Sequence, residues 1–126
     1  MQNAEWECMM KENTVLEKSF GFSVRIVNLY KYMTEEKKEY ILSKQLLRCG
    51  TSIGANATEA QKGQSKADFT AKMCIALKEA YEAEYWIRLL YHTNYIDLKA
   101  YESLAKDVDE LISILSSICK TAGDHK

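Results

Sequence analysis

The sequence predicts an all-α protein, folded as an antiparallel up-down-up-down four-helix bundle. Three observations carry this prediction. The 126 residues contain no proline and only five glycines, whereas β-rich folds spend both on their many turns. Four stretches repeat apolar residues in alternating steps of three and four. Only short polar breaks separate these stretches, which places consecutive helices side by side and antiparallel.

The first helix is expected to start near Ser19. Phe22, Ile26, Leu29 and Met33 form its seam, and Val27 and Tyr30 widen it. Thr34 is the expected N-cap of the second helix, with Glu35 and Glu36 in its first turn, where acids suit the positive helix end. The second helix carries Leu42, Leu46, Cys49, Ile53, Asn56 and Ala60, a heptad seam. Gly50 and Gly54 lie beside it. Glycine inside a helix costs roughly 1 kcal/mol relative to alanine, so the pair predicts close passage of another helix. Gly63 is expected to close this helix in the left-handed conformation, and Ser65 with Asp68 reads as a capping box.

The third helix carries Phe69, Met73, Ala76, Ala80, Ala83, Ile87 and Leu90. Asn94 can end it in the left-handed conformation, and Asp97 caps the fourth. There Tyr101, Leu104, Val108, Leu111, Leu115 and Ile118 repeat the seam. The bundle is expected to span residues 16–120, with a flexible N-terminal segment at 1–15 and a flexible tail at 121–126.

Composition narrows the function classes. Hydrophobic residues make up 47% and charged residues 28%, ordinary for a globular protein with one modest core. The net charge of −1 makes no case for nucleic acid on its own. Residues 11–72 nevertheless carry a balance of +4, and residues 73–126 one of −3. The opening MQNAEWECMMKEN has no long apolar run and is read as neither a signal peptide nor a membrane anchor. Cys8, Cys49, Cys74 and Cys119 form no CxxC pair and are read as reduced core residues of a cytoplasmic protein.

No enzyme chemistry emerges. A zinc site would need ligand spacing that His92 and His125 lack. A di-iron bundle needs Glu three residues before each ligating His, and neither has it. The EExxE at Glu35–Glu39 has no partner ExxD, and helix capping accounts for its acids. Gly-x-Ser-x-Gly is absent. No catalytic residue, cofactor, metal or small-molecule substrate is therefore expected.

Two surface features invite a binding role. Ile75, Trp86 and Leu89 fall opposite the third helix's main seam, with Tyr81 and Tyr85 on the flank. Glu79 and Glu82 lie beside Trp86. These residues are candidates for a subunit interface, unless Trp86 simply folds over the bundle edge. On the second helix, Gln45, Arg48, Ser52, Asn56 and Glu59 form a polar ridge. Arg48 could pair with Glu79 or Glu82 across helices or subunits.

The run Gln45-Leu46-Leu47-Arg48-Cys49-Gly50-Thr51-Ser52-Ile53-Gly54-Ala55-Asn56-Ala57-Thr58-Glu59-Ala60 resembles the signature helix of the S23-like family, proteins encoded by 23S rRNA intervening sequences. That pattern reads QLxRAxxSIxxNIxEG. Cys49, Ala57 and Ala60 depart from it, all as small or apolar replacements. Lys66 to Leu90 resembles the family's third helix, and Leu16-Glu17-Lys18-Ser19-Phe20 its first. The resemblance implies a four-helix bundle that assembles with itself into a ring, typically a homopentamer, with no established biochemical activity. A related branch, the accessory proteins of diversity-generating retroelements, binds nucleic acid. If that branch were the guide, Lys37, Lys38, Lys44, Arg48, Lys62, Lys66 and Lys72 would be the contact candidates, although acids interleave them.

Overall fold

Unbroken apolar periods become helices, and the polar breaks become their connections. The computed structural model describes residues 3–123, and the side chains of residues 10–120. Four helices follow in order: α1 (Asn3–Glu35), α2 (Leu42–Ala60), α3 (Lys66–His92) and α4 (Leu98–Gly123). No strand occurs among the described residues. Each helix packs on its chain neighbours and α4 returns to α1, while α1 and α3 stand diagonally, as do α2 and α4, with no Cα pair within 8 Å. This is the expected up-down-up-down bundle.

The core is the meeting of the four seams. Phe22, Ile26 and Met33 of α1 face Leu46, Cys49 and Ile53 of α2, Met73, Ile87 and Leu90 of α3, and Val108, Leu111 and Leu115 of α4, all at most 2% exposed. α3 contributes Ala76, Ala80 and Ala83, all fully buried. Small residues there let neighbouring helices approach closely.

α1 begins far upstream of the expected Ser19. Its 33 residues span about 50 Å at the helical rise. Val15, placed by the sequence in the loose segment, is fully buried. It lies two turns before Phe22 and so shares that residue's inward face. Residues 1–2 of the expected N-terminal segment, and 124–126 of the expected tail, lie outside the described residues.

Thr34 does not cap α2. It remains inside α1, where its hydroxyl donates to the Tyr30 carbonyl at 3.0 Å. The cap is Glu39, whose carboxylate accepts the backbone N–H groups of Ile41, Leu42 and Ser43 at 3.1, 2.9 and 2.8 Å. The Ser43 hydroxyl donates back to the Glu39 carbonyl at 2.8 Å. Lys38, at φ 56°, turns the chain just before this cap. Burial pushes the Glu39 carboxyl up, but these donors outweigh it and hold the group below its ordinary range.

The remaining boundaries follow the sequence more closely. The Asp68 N–H donates to Ser65 Oγ at 3.1 Å, and the Gln64 N–H donates to Asp68 Oδ2 at 3.2 Å. Ser65 therefore caps α3, and the reciprocal bond falls one residue earlier than in a standard capping box. Asn94 is left-handed at φ 69°. The Tyr95 N–H reaches the Leu90 carbonyl at 2.9 Å and the Asn94 N–H reaches that of Tyr91 at 3.0 Å, a Schellman ending. Asp97 accepts the Ala100 N–H at 2.8 Å. Gly63 differs from expectation, because no glycine among the described residues has positive φ. Its requirement is space: a Cβ there would sit 3.0 Å from the Asp68 Cβ and 3.1 Å from the Phe69 nitrogen.

Gly50 and Gly54 do mark a close passage, with α1 as the visitor. A Cβ on Gly50 would lie 3.0 Å from two carbons of Ile26, and one on Gly54 would lie 3.3 Å from the Ser19 carbonyl oxygen. Ser19 is 1% exposed at that crossing. One seam position is corrected: Ala57 is fully buried, while Asn56 is only half-buried. Asn56 lies one position off the core direction, and its amide is turned back onto its own helix.

Candidate functional site

The polar ridge of α2 joins α3 through two separate contacts. Arg48 donates from Nη1 to Glu79 at 3.2 Å and from Nη2 to Glu82 at 2.5 Å. Glu82 also accepts the indole N–H of Trp86 at 3.0 Å. One turn apart on α3, Glu82 and Trp86 are natural i,i+4 partners. The Glu82 carboxylate thereby links the Trp86 indole to the Arg48 guanidinium. Nearer the α2–α3 connection, Lys72 donates to Glu59 at 2.9 Å. Between the two contacts, Asn56 Nδ2 donates to the Ser52 hydroxyl and carbonyl, both at 2.9 Å. Gln45 is exposed at the other end of the ridge.

Electrostatics distinguish these groups. The Trp86 hydrogen bond and then Arg48 hold the Glu82 carboxyl below its ordinary range, against a smaller upward push from burial. Glu82 in turn raises the Arg48 guanidinium. Arg48 remains 54% exposed and Glu79 only 18%, so the contact is a lid over half-buried acids rather than a buried ion pair. Burial pushes the neighbouring Cys49 thiol up to about 12, which leaves it a protonated core side chain.

The second face of α3 divides on inspection. Trp86 is half-buried against the core, as edge packing requires, and meets Tyr85 edge to face with centroids 5.1 Å apart. Leu89 is also half-buried. Ile75, Tyr81 and Tyr85 remain exposed at 42, 51 and 58%. A third apolar region escaped the sequence reading. Phe20, Val24 and Val27 are exposed on α1 at 71, 46 and 37%, at 4-3 spacing opposite the core seam. Val27, assigned to the seam by sequence, belongs to this outer stripe. Its spacing is legible, but the inward stripe of the same helix is the stronger signal.

The seven basic candidates do not form one patch. Arg48 and Lys72 are paired with carboxylates. Lys37, Lys38 and Lys44 gather around the α1–α2 connection, with Lys37 5.8 Å from the Tyr32 ring. Lys62 and Lys66 flank the next connection, at the opposite end of the bundle.

Between α3 and α4 runs a groove lined by Tyr81, Glu84, Tyr85, Arg88, Tyr101 and Asp109, among others. Burial and the facing Asp109 raise the Glu84 carboxyl, with Arg88 partly offsetting them. Among the described residues no group of three or more His, Cys, Asp or Glu could hold a metal ion. No described helix is long and apolar enough to cross a membrane.

Fold and ridge together define an all-α four-helix bundle whose second and third helices are clasped by an Arg–Glu–Trp contact. The model of the 23S rRNA-intervening sequence protein family matches residues 11–117, and the chain belongs to that family. It is similar to a crystal structure from Bacteroides thetaiotaomicron, described as a protein of unknown function from the S23 ribosomal protein family. The two share 55% identity and a TM-score of 0.85, over 87% of this chain and 98% of that one. No curated protein matches the chain.

Proposed function

We propose that this protein is a non-enzymatic, cytoplasmic scaffold or adaptor that works as a homo-oligomeric ring, with a pentamer the form the family resemblance implies. The observation that carries this reading is the pair of outward apolar faces on diagonal helices. Phe20, Val24 and Val27 look out from α1; on α3, Tyr81 and Tyr85 are exposed on the flank toward α4, and Ile75, one turn before Glu79, on the flank toward α2. Exposed apolar clusters of this kind favour association. Unlike patches on opposite corners favour head-to-tail contact, which closes into rings instead of two-fold dimers. Glu79, Glu82, Trp86 and Leu89 then act from beneath, holding the α3 face in shape.

The test uses two variants, Phe20→Glu and Ile75→Glu. Each should lose the ring by itself and run as a monomer with unchanged helicity. Mixed together, they retain one intact copy of each patch, so head-to-tail contact predicts dimers and nothing larger. Rings that survive both substitutions would contradict the reading. So would variants that remain monomeric after mixing.

A second reading, nucleic-acid binding, draws on the grouping of Lys37, Lys38 and Lys44 at one end, since a ring would bring several copies of that end together. A salt titration against mixed-sequence RNA and DNA tests it. Affinity falling steeply with salt supports it, and absence of binding at low salt rules it out.

A further inference from the structure

α3 and α4 run antiparallel out of the turn around Asn94, so residues equally far from that turn lie at one level. Tyr91 stacks on Tyr101 with centroids 4.7 Å apart, which fixes the level nearest the turn. Farther along, Glu84 meets Asp109. Carried to the far end, the same count sets Cys74 opposite Cys119. The facing directions agree. Cys74 stands two turns before Tyr81, which lines the α3–α4 groove with Tyr101 and Asp109. Cys119 stands five turns after Tyr101 and shares its face. Both cysteines are free and only half-buried, and Cys74 is near enough to act on the Cys119 thiol. Cys49 is the contrast, fully enclosed in the core.

We propose that Cys74 and Cys119 are the site of a reversible intramolecular disulfide that staples α3 to α4 when the protein meets a small disulfide oxidant such as glutathione disulfide. The Cys74 thiolate attacks one glutathione sulfur, forming a mixed disulfide and expelling one glutathione. Deprotonated Cys119 then attacks the Cys74 sulfur and expels the second. Two cysteine thiols are oxidised to one disulfide, one glutathione disulfide is reduced to two thiols, and the cysteine protons pass to the departing glutathiones. Burial first, and then the hydrogen bond and charge of Cys74, push the Cys119 thiol up to about 12. Cys119 therefore rests in the thiol state, and capping Cys74 removes the two contributions that come from it. Ring closure is the slow step and accelerates with rising pH.

The bridge needs Cα atoms about 4.4–6.8 Å apart, which neighbouring positions on packed helices can reach with a small shift. It would close the chain from residue 74 to 119 and restrict the unfolded state. The thermal midpoint should rise by roughly 10 °C.

The test takes the full chain with Cys8→Ser, incubated under native conditions with glutathione disulfide. Intact mass should show the loss of two hydrogens. Peptide mapping without reductant should recover a Cys74–Cys119 cross-link, and dithiothreitol should reverse both the link and the midpoint shift. Cys119→Ser should stop at a single glutathione on Cys74. Three outcomes would overturn the proposal: glutathione persisting on Cys74 and Cys119 side by side, a bridge through Cys49, or thiols left unmodified.

Discussion

The two flanks of α1 are closed by different means. Where α1 meets α2, glycines at 50 and 54 admit the backbone and side chains of α1 at contact distance, and the Arg48 clasp carries α2 onward to α3. Where α1 meets α4, long side chains do the closing. Lys11 donates to Ser117 at 2.7 Å, Arg25 to Asp107 at 2.6 Å, and Lys18 approaches Glu110 at 3.7 Å. Half-exposed pairs such as Arg25–Asp107 and Lys18–Glu110 contribute little, while a close crossing depends on shape. Stability should therefore be concentrated on the α2 side, leaving α1–α4 as the flank that opens first.

The largest expected effect comes from filling the crossing. Gly50→Leu places a branched side chain against Ile26 and should cost about 3 kcal/mol, read as a lowered midpoint in urea. If the loss is below about 1 kcal/mol, the crossing is looser than its distances imply.

Next comes the clasp. A double-mutant cycle on Arg48 and Glu82 should give a coupling on the order of 0.5–1 kcal/mol after solvent screening, because Trp86 holds the acceptor in place. The same cycle on Arg25 and Asp107 should give less, and that remainder should fade in high salt. Equal couplings would erase the contrast between the two flanks.

The pH dependence sharpens the comparison further. Glu82 and Glu39 have carboxyl pKa values held below their ordinary range. Their contribution is present above the unfolded-state value of about 4.3 and is lost as pH falls through the lower folded-state values. Urea midpoints should show the cost of Glu82→Gln at pH 7 and its shrinkage as pH falls below about 4.3. Glu84 has the opposite sign, since burial and Asp109 raise it. Its ionised form opposes folding, so Glu84→Gln should stabilise by a few tenths of a kcal/mol at pH 7, the smallest effect here, and be neutral in acid.

Legibility followed the same division. Local signals were readable: Ser65, Asn94 and Asp97 mark their boundaries because each acts through its own side chain or backbone conformation. The glycine pair announced a crossing, although only packing could say that α1 fills it. The start of α1 was hidden because the residues before Val15 carry little apolar period. Glu39 displaced Thr34 as the cap because the connection needs residues 36–41 to cross between helices. Asn56 and Ala57 exchanged places because a heptad count drifts against 3.6 residues per turn. The polar ridge was visible as a pattern. That Arg48 engages both acids within one chain depends on helix placement, which spacing does not encode.

The central claim is that the bundle is one subunit of a ring. Light scattering coupled to size exclusion, at tens of micromolar protein, tests it most directly. A ring gives a single species at a multiple of the 14.5 kDa chain mass, five-fold for the pentamer. A uniform 14.5 kDa monomer would contradict it and leave the outer faces of α1 and α3 without the role assigned to them.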